Sequence, residues 1–221
     1  MSTDTDTAAL IEKLGKDLKP VTPLRPPFVR AASLSIFALV AVFAAIFAFT
    51  HGFRKDLADM LMHHAGYLLQ TVSIFAAGVI SALAACYLSV PDTKIRPRVY
   101  AMMGISTAVW LFLILSQMVM AMGTESDVGP ENCLTDLSLL MVSPLAAVIF
   151  MVTRGAPVWR GWAGYSMVLA VGSFAALGMR FICPNDSPAH LLVWHFLPVL
   201  VFALVGIILG KILLKKNIAK I

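Results

Sequence analysis

The sequence predicts an all-α fold: a six-helix transmembrane bundle with a short cytoplasmic N-terminal amphipathic helix. Three observations carry this reading. Residues of the AVILMFWYC set make up 59% of the 221-residue chain, and charged residues only 13%. A soluble domain has about 45–50% and about 25% respectively. The apolar residues gather in six runs, each near the ~20 residues that cross a ~30 Å hydrocarbon core as a helix. The basic residues lie almost entirely on one side of those runs. Together these features exclude disorder over most of the length, and they exclude an ordinary soluble domain.

The runs cover about 31–50, 66–90, 99–122, 135–153, 162–182 and 191–214. The first 30 residues are polar and lack a cleavage pattern, so the first run reads as an uncleaved anchor. The chain then divides into a cytoplasmic helix and Pro-rich linker, 1–30, and a six-span membrane domain, 31–221. Fourteen basic residues fall on one side: Lys13, Lys16, Lys19, Arg25, Arg30, Lys94, Arg96, Arg98, Arg154, Arg160, Lys211, Lys215, Lys216 and Lys220. Only Arg54, Lys55 and Arg180 fall on the other. Positive residues stay inside, so both termini are expected in the cytoplasm. The net charge of +5 is therefore a topology signal, with no nucleic acid implied.

The runs are poor in chemistry. No Asp, Glu, Lys or Arg lies deep in any of them, which disfavours ion-coupled transport. Only His195 enters a run, by about one turn, so axial haem ligands on facing helices are not expected. Gln70 and Gln117 are expected to hydrogen-bond between helices. Gly78, Ser81, Ala82, Ala85, Gly172 and Ala176 are small, and Gly206 and Gly210 form a GxxxG. Such spacing permits close approach of helices, here chiefly within one chain.

The N-terminal arm has its own pattern. Leu10, Ile11, Leu14 and Leu18 fall on one helical face. Thr3, Asp4 or Asp6 can cap its start. Pro20, Pro23, Pro26 and Pro27 follow as a stiff extended spacer. An interfacial helix usually has a strongly basic polar face. Acidic and basic residues alternate here, which favours docking into a groove of a cytosolic partner.

The opposite side carries Cys133 and Cys183, together with His51, His63, His64, His190 and His195. An outward compartment is oxidising and lets disulfides persist. Neither cysteine belongs to a CxxC, which disfavours a disulfide catalyst. A permanent disulfide, a redox-switchable pair and a metal site all fit these residues. In the last case Cys133 and Cys183 would be joined by His190 and His195, or by His63 or His64, around zinc or copper. Asp136 follows Cys133 by three residues, and Arg180 precedes Cys183 by three. If the cysteines approach, Asp136 and Arg180 are expected to pair one turn beneath them. Asn185 to Pro188 reads as a tight turn with a helix cap. Cys86 sits near the other end and reads as a small packed residue.

At these residues the sequence resembles the NrsF family, negative regulators of sigma F, which are bacterial inner-membrane anti-sigma factors. The match includes D-x-x-x-LI-x-x-L-x-x-DLKPV-x-PL from Asp6 to Leu24, and CPNDSPAHLLVWH from Cys183 to His195. It extends over essentially the whole chain, and the second motif is the more specific. The resemblance implies a non-enzymatic protein whose N-terminal segment holds an extracytoplasmic-function sigma factor inactive. Leu10, Ile11, Leu14, Asp17 and Leu18 would then form the sigma-binding face. It also implies that Cys133 and Cys183 sense oxidants or heavy metals. The competing expectation is a metal-binding or transport protein acting on the periplasmic face.

Overall fold

A computed structural model describes residues 7, 12, 15, 25–50, 52–90, 96–121, 132–153 and 159–214. The described residues are helical, with no strand among them. The face expected to bind sigma (Leu10, Ile11, Leu14, Asp17 and Leu18) lies outside them.

The helices are α1 (Pro27–Phe49), α2 (Leu57–His63), α3 (Ala65–Leu88), α4 (Arg96–Met120), α5 (Cys133–Thr153), α6 (Arg160–Ile182) and α7 (Pro188–Leu213). Five of them, namely α1, α3, α4, α6 and α7, are long and apolar enough to cross a membrane. The sixth apolar run forms α5, whose shorter apolar stretch is Cys133–Ala146 and which carries Pro144 in its interior.

Local chemistry sets the ends. Helix α1 begins at Pro27, earlier than the apolar run alone suggests, because Pro26 and Pro27 initiate it. A proline in the first turn loses nothing, since its missing N–H would have no helical partner. At the other end Thr50 Oγ1 donates to the Ile46 carbonyl at 2.7 Å. Gly52 then turns the chain at φ +89°, a conformation costly for residues with a Cβ.

One helix is central. In α6, 83% of the apolar stretch is buried, against 28% in α4 and in α7. It packs most extensively on α7 and α3, then on α5 and α1. Lipid offers helices no hydrophobic reason to associate, so close van der Waals fit must hold them. Small residues supply that fit. A Cβ on Gly164 would lie 2.2 Å from the Gly206 carbonyl oxygen, and one on Gly210 would lie 2.2 Å from the Arg160 carbonyl oxygen. The GxxxG of α7 is thus used within the chain. Gly164→Val is expected to cost about 3 kcal/mol by overpacking, read as a lower unfolding temperature in detergent. An unchanged transition would refute this contact.

The polar expectation for the interior also holds. Gln70 Nε2 donates to Gln117 Oε1 at 2.7 Å, joining α3 to α4. Trp110 and Phe196 meet edge to face at 4.8 Å, joining α4 to α7. Large apolar side chains such as Ile36, Phe47, Phe112 and Ile208 remain exposed on the outside of the bundle, as a lipid-facing surface requires. Cys86 is buried, 1% exposed.

Candidate functional site

The site is built where α5, α6 and α7 meet at one end of the bundle. Cys133 opens α5. Cys183 directly follows α6 in an extended conformation (φ −74°, ψ 124°), with its N–H still bonded to the Met179 carbonyl. Pro184 explains the stop, because a residue before proline is driven out of the α region. The turn expected after it is present: the Ser187 N–H donates to Asn185 Oδ1 at 2.9 Å. Ser187 holds the N-cap position of α7, though without a side-chain capping bond.

The helix that follows is not regular. Leu191–Phe196 is π-helical, and the Leu197 N–H reaches the Leu192 carbonyl five residues back. Pro198 lies just beyond. Its ring would clash with the carbonyl four residues earlier in a regular helix, and the wider turn relieves that clash. The π turn brings His190 and His195 together, with ring centroids 5.3 Å apart.

Four side chains converge as a result. Cys133 Sγ and Cys183 Sγ are 3.7 Å apart. His190 Nε2 lies 3.4 Å from Cys133 Sγ and 3.5 Å from Cys183 Sγ. With His195, the donor atoms of all four residues lie within 4.8 Å of one another. All four are buried, from 0% exposed for His190 to 5% for Cys183. No disulfide joins the two thiols. They stand beyond the ~2.05 Å of a disulfide but within reach of one after a small movement. Hydrogen bonding with Cys133 holds the Cys183 thiol well below its ordinary range; burial opposes this, and the approach of His195 adds to it. This favours the thiolate at Cys183, the form that reacts and binds metal.

A cleft of about 230 Å³ leads to the thiols. Thr50 and Gly52 after α1, Asn132 and Asp136 of α5, and Pro184 are among its walls. Here the expected ion pair is corrected. Arg180 Nη1 pairs at 2.8 Å with Asp186 rather than with Asp136. The Asp-Ser-Pro turn folds Asp186 back over the end of α6, whereas Asp136 lines the cleft.

Asp186 also pairs with Arg54 Nη1 at 2.8 Å. Arg54 in turn donates to the Cys183 carbonyl at 3.1 Å and, through its backbone N–H, to the Phe181 carbonyl at 2.9 Å. Its Nε meets Asp56 at 2.7 Å. Asp56 chiefly, and Asp186 after it, hold the Arg54 guanidinium above its ordinary range against burial. Arg54 correspondingly holds the exposed Asp56 carboxyl down to about 2. Tyr67 completes the frame: its hydroxyl donates to the Arg180 carbonyl, and Arg180 lies 4.0 Å above its ring.

Arg54, Tyr67 and Asp186 are the residues that sequence reasoning missed. Arg54 counted there only as a misplaced positive charge. The available signal was the turn chemistry, which returns Asp186 toward Arg180 six residues earlier. His63 and His64 do not join the thiols. His63 bonds Asp59 at 2.9 Å, and both histidines line a second cleft with Tyr67 and Arg180. His51 lies outside the described residues.

No curated protein and no solved structure matches the chain. The profile of the NrsF family, described as negative regulator of sigma F, matches residues 14–215. That stretch includes every helix described above together with all four converging side chains, and the chain belongs to the NrsF family.

Proposed function

We propose that this protein is an inner-membrane anti-sigma factor. Its N-terminal segment holds an extracytoplasmic-function sigma factor in the cytoplasm, and chemistry at Cys133 and Cys183 on the periplasmic side releases it. In this reading α5 is the sixth span and both termini are cytoplasmic. The observation that carries the proposal is the family match over residues 14–215, whose description is a negative regulator of sigma F. The uneven distribution of basic residues supports the orientation. The amphipathic arm supports docking into a groove of the sigma factor.

Release requires two arrangements of the bundle that differ at both ends. The first helix offers a route between them. The arm precedes Pro27, and the far end of that helix leads directly into Thr50 and Gly52, which line the cleft to the thiols. Arg54 then bonds the Cys183 carbonyl. A shift of the loop that holds Cys183 would therefore pull on α1, and with it on the arm. Oxidation or a soft metal at the thiols would supply such a shift.

Purification of the full chain is expected to recover a sigma factor, and a chain lacking residues 1–25 is expected to lose it. Equal recovery from both would refute the role of the arm. Cys133→Ser with Cys183→Ser should still repress, yet respond at least about tenfold less to thiol oxidants in a sigma-dependent reporter. Tenfold is the shift that about 1.4 kcal/mol produces in a two-state equilibrium. Full induction in that variant would remove the thiols from sensing. The buried thiol–imidazole cluster also favours one competing reading, a periplasmic-face metal-binding or transport protein. That reading expects no effect of deleting residues 1–25.

A further inference from the structure

We propose that Cys133, Cys183, His190 and His195 form one tetrahedral site for a divalent ion of zinc's class, with both histidines as ligands alongside the two thiolates. The proposal rests on reading this end of the bundle as the sensing end, and it names what the site holds before any stimulus arrives.

The distances fit the geometry. With Zn–S near 2.3 Å and Zn–N near 2.0–2.1 Å, the edges of a tetrahedral Cys₂His₂ site are about 3.3–3.8 Å. Three edges here are 3.7, 3.4 and 3.5 Å, and no pair of donor atoms is farther apart than 4.8 Å. A modest rotation of the His195 ring closes the remainder.

Burial asks for an occupant. His195 is 2% exposed, and neither of its ring nitrogens has a hydrogen-bond partner. Leaving such groups unsatisfied is costly. A metal ion would bond one of these nitrogens directly. It also makes the cluster electrically neutral, because two thiolates balance one divalent ion. Neutrality suits a site enclosed among apolar helices, where a net charge would be expensive.

The backbone is arranged for the same end. Five residues along a regular α-helix separate two side chains by about 140° around the axis. Cys-x₆-His-x₄-His is therefore not a spacing that a regular helix turns toward one point. The π turn over Leu191–Phe196 removes the discrepancy and places both rings on the side facing the sulfurs. Single π turns inside α-helices are uncommon and gather at functional sites. Access is provided by the cleft beside the thiols, where the carboxylate of Asp136 and the side chain of Asn132 offer oxygen atoms on the way in. The ligand set selects the ion: thiolate with imidazole suits zinc, whereas magnesium and calcium need oxygen.

The test uses the full-length protein in detergent, first loaded with zinc and then with cobalt(II). One zinc ion should bind per chain. Cobalt should show the intense visible bands of a tetrahedral site together with sulfur-to-metal charge transfer. His190→Gln and His195→Gln should each weaken zinc binding on the order of a hundredfold or more and change the cobalt bands. A weak octahedral cobalt spectrum would overturn the proposal, as would histidine variants that bind like the wild type. If the variants fail to fold, the wild-type cobalt spectrum decides by itself. The two readings fail separately. Tetrahedral cobalt in a protein that recovers no sigma factor keeps the site and removes the anti-sigma role. Thiol-dependent sigma release from a protein without that spectrum removes the site and keeps the role.

Discussion

Leu14→Asp in the full-length chain is expected to release the sigma regulon from repression while the protein still accumulates in the membrane. In the proposed arm helix, residue 14 would fall in the middle of an apolar face made by Leu10, Ile11, Leu14 and Leu18. If that face fills a groove on the sigma factor, an aspartate there buries an unpaired charge. A penalty of about 3 kcal/mol is a reasonable scale for such a change, and it corresponds to roughly a hundredfold loss of affinity. Insertion should not suffer, because the first apolar helix begins at Pro27. Glu12→Gln on the polar side serves as the control and should repress nearly as well as the wild type. A reporter read together with an immunoblot of membranes measures both quantities. Normal repression by Leu14→Asp at normal protein level would sink the helix-in-groove mechanism.

Asp186→Ala is expected to destabilise the bundle most among single changes at the thiol end. Asp186 neutralises two guanidinium groups at once, those of Arg54 and Arg180, each at 2.8 Å. Their side chains are only 6% and 4% exposed. Removing the shared carboxylate strands the buried Arg180 cation and leaves Arg54 with Asp56 alone, and breaking a buried pair in this way costs about 3–5 kcal/mol. For a chain of this size that is on the order of 10 °C in unfolding temperature. Asp136→Asn is expected to do much less, because Asp136 lies on the cleft wall and is not the ion partner of Arg180. A larger loss from Asp136→Asn than from Asp186→Ala would reverse that assignment. The same comparison bears on signalling, since Asp186 ties the Cys183 loop to the segment that follows α1.

Legibility varied with the kind of information each feature needs. Helix positions came directly from apolar runs, because each run must satisfy the bilayer independently of the others. That Cys133 and Cys183 share one end of adjacent antiparallel runs was legible; that they approach to 3.7 Å was decided by the packing. Gln70 with Gln117, and the close contact made by Gly206 and Gly210, were legible because polar and small residues in apolar runs have few alternative uses. The partner of Arg180 was not legible. Spacing along regular helices pointed to Asp136, but the turn after Pro184 offered a nearer carboxylate. His190 and His195 were legible as possible partners of the thiols, but how they converge depends on a π turn that helical periodicity does not anticipate.

The sequence by itself determined that the described residues are all-helical with spans suited to a bilayer, and it placed two cysteines on the same side of those spans. Those properties follow from solvation, which acts on each segment alone. Only the tertiary structure decided that α6 is the buried centre, that Asp186 serves two arginines, and that two histidines turn toward the thiols. Those depend on how each helix is rotated against its neighbours and how its ends are turned. Packing and local backbone geometry set both, and neither is contained in the count of apolar residues.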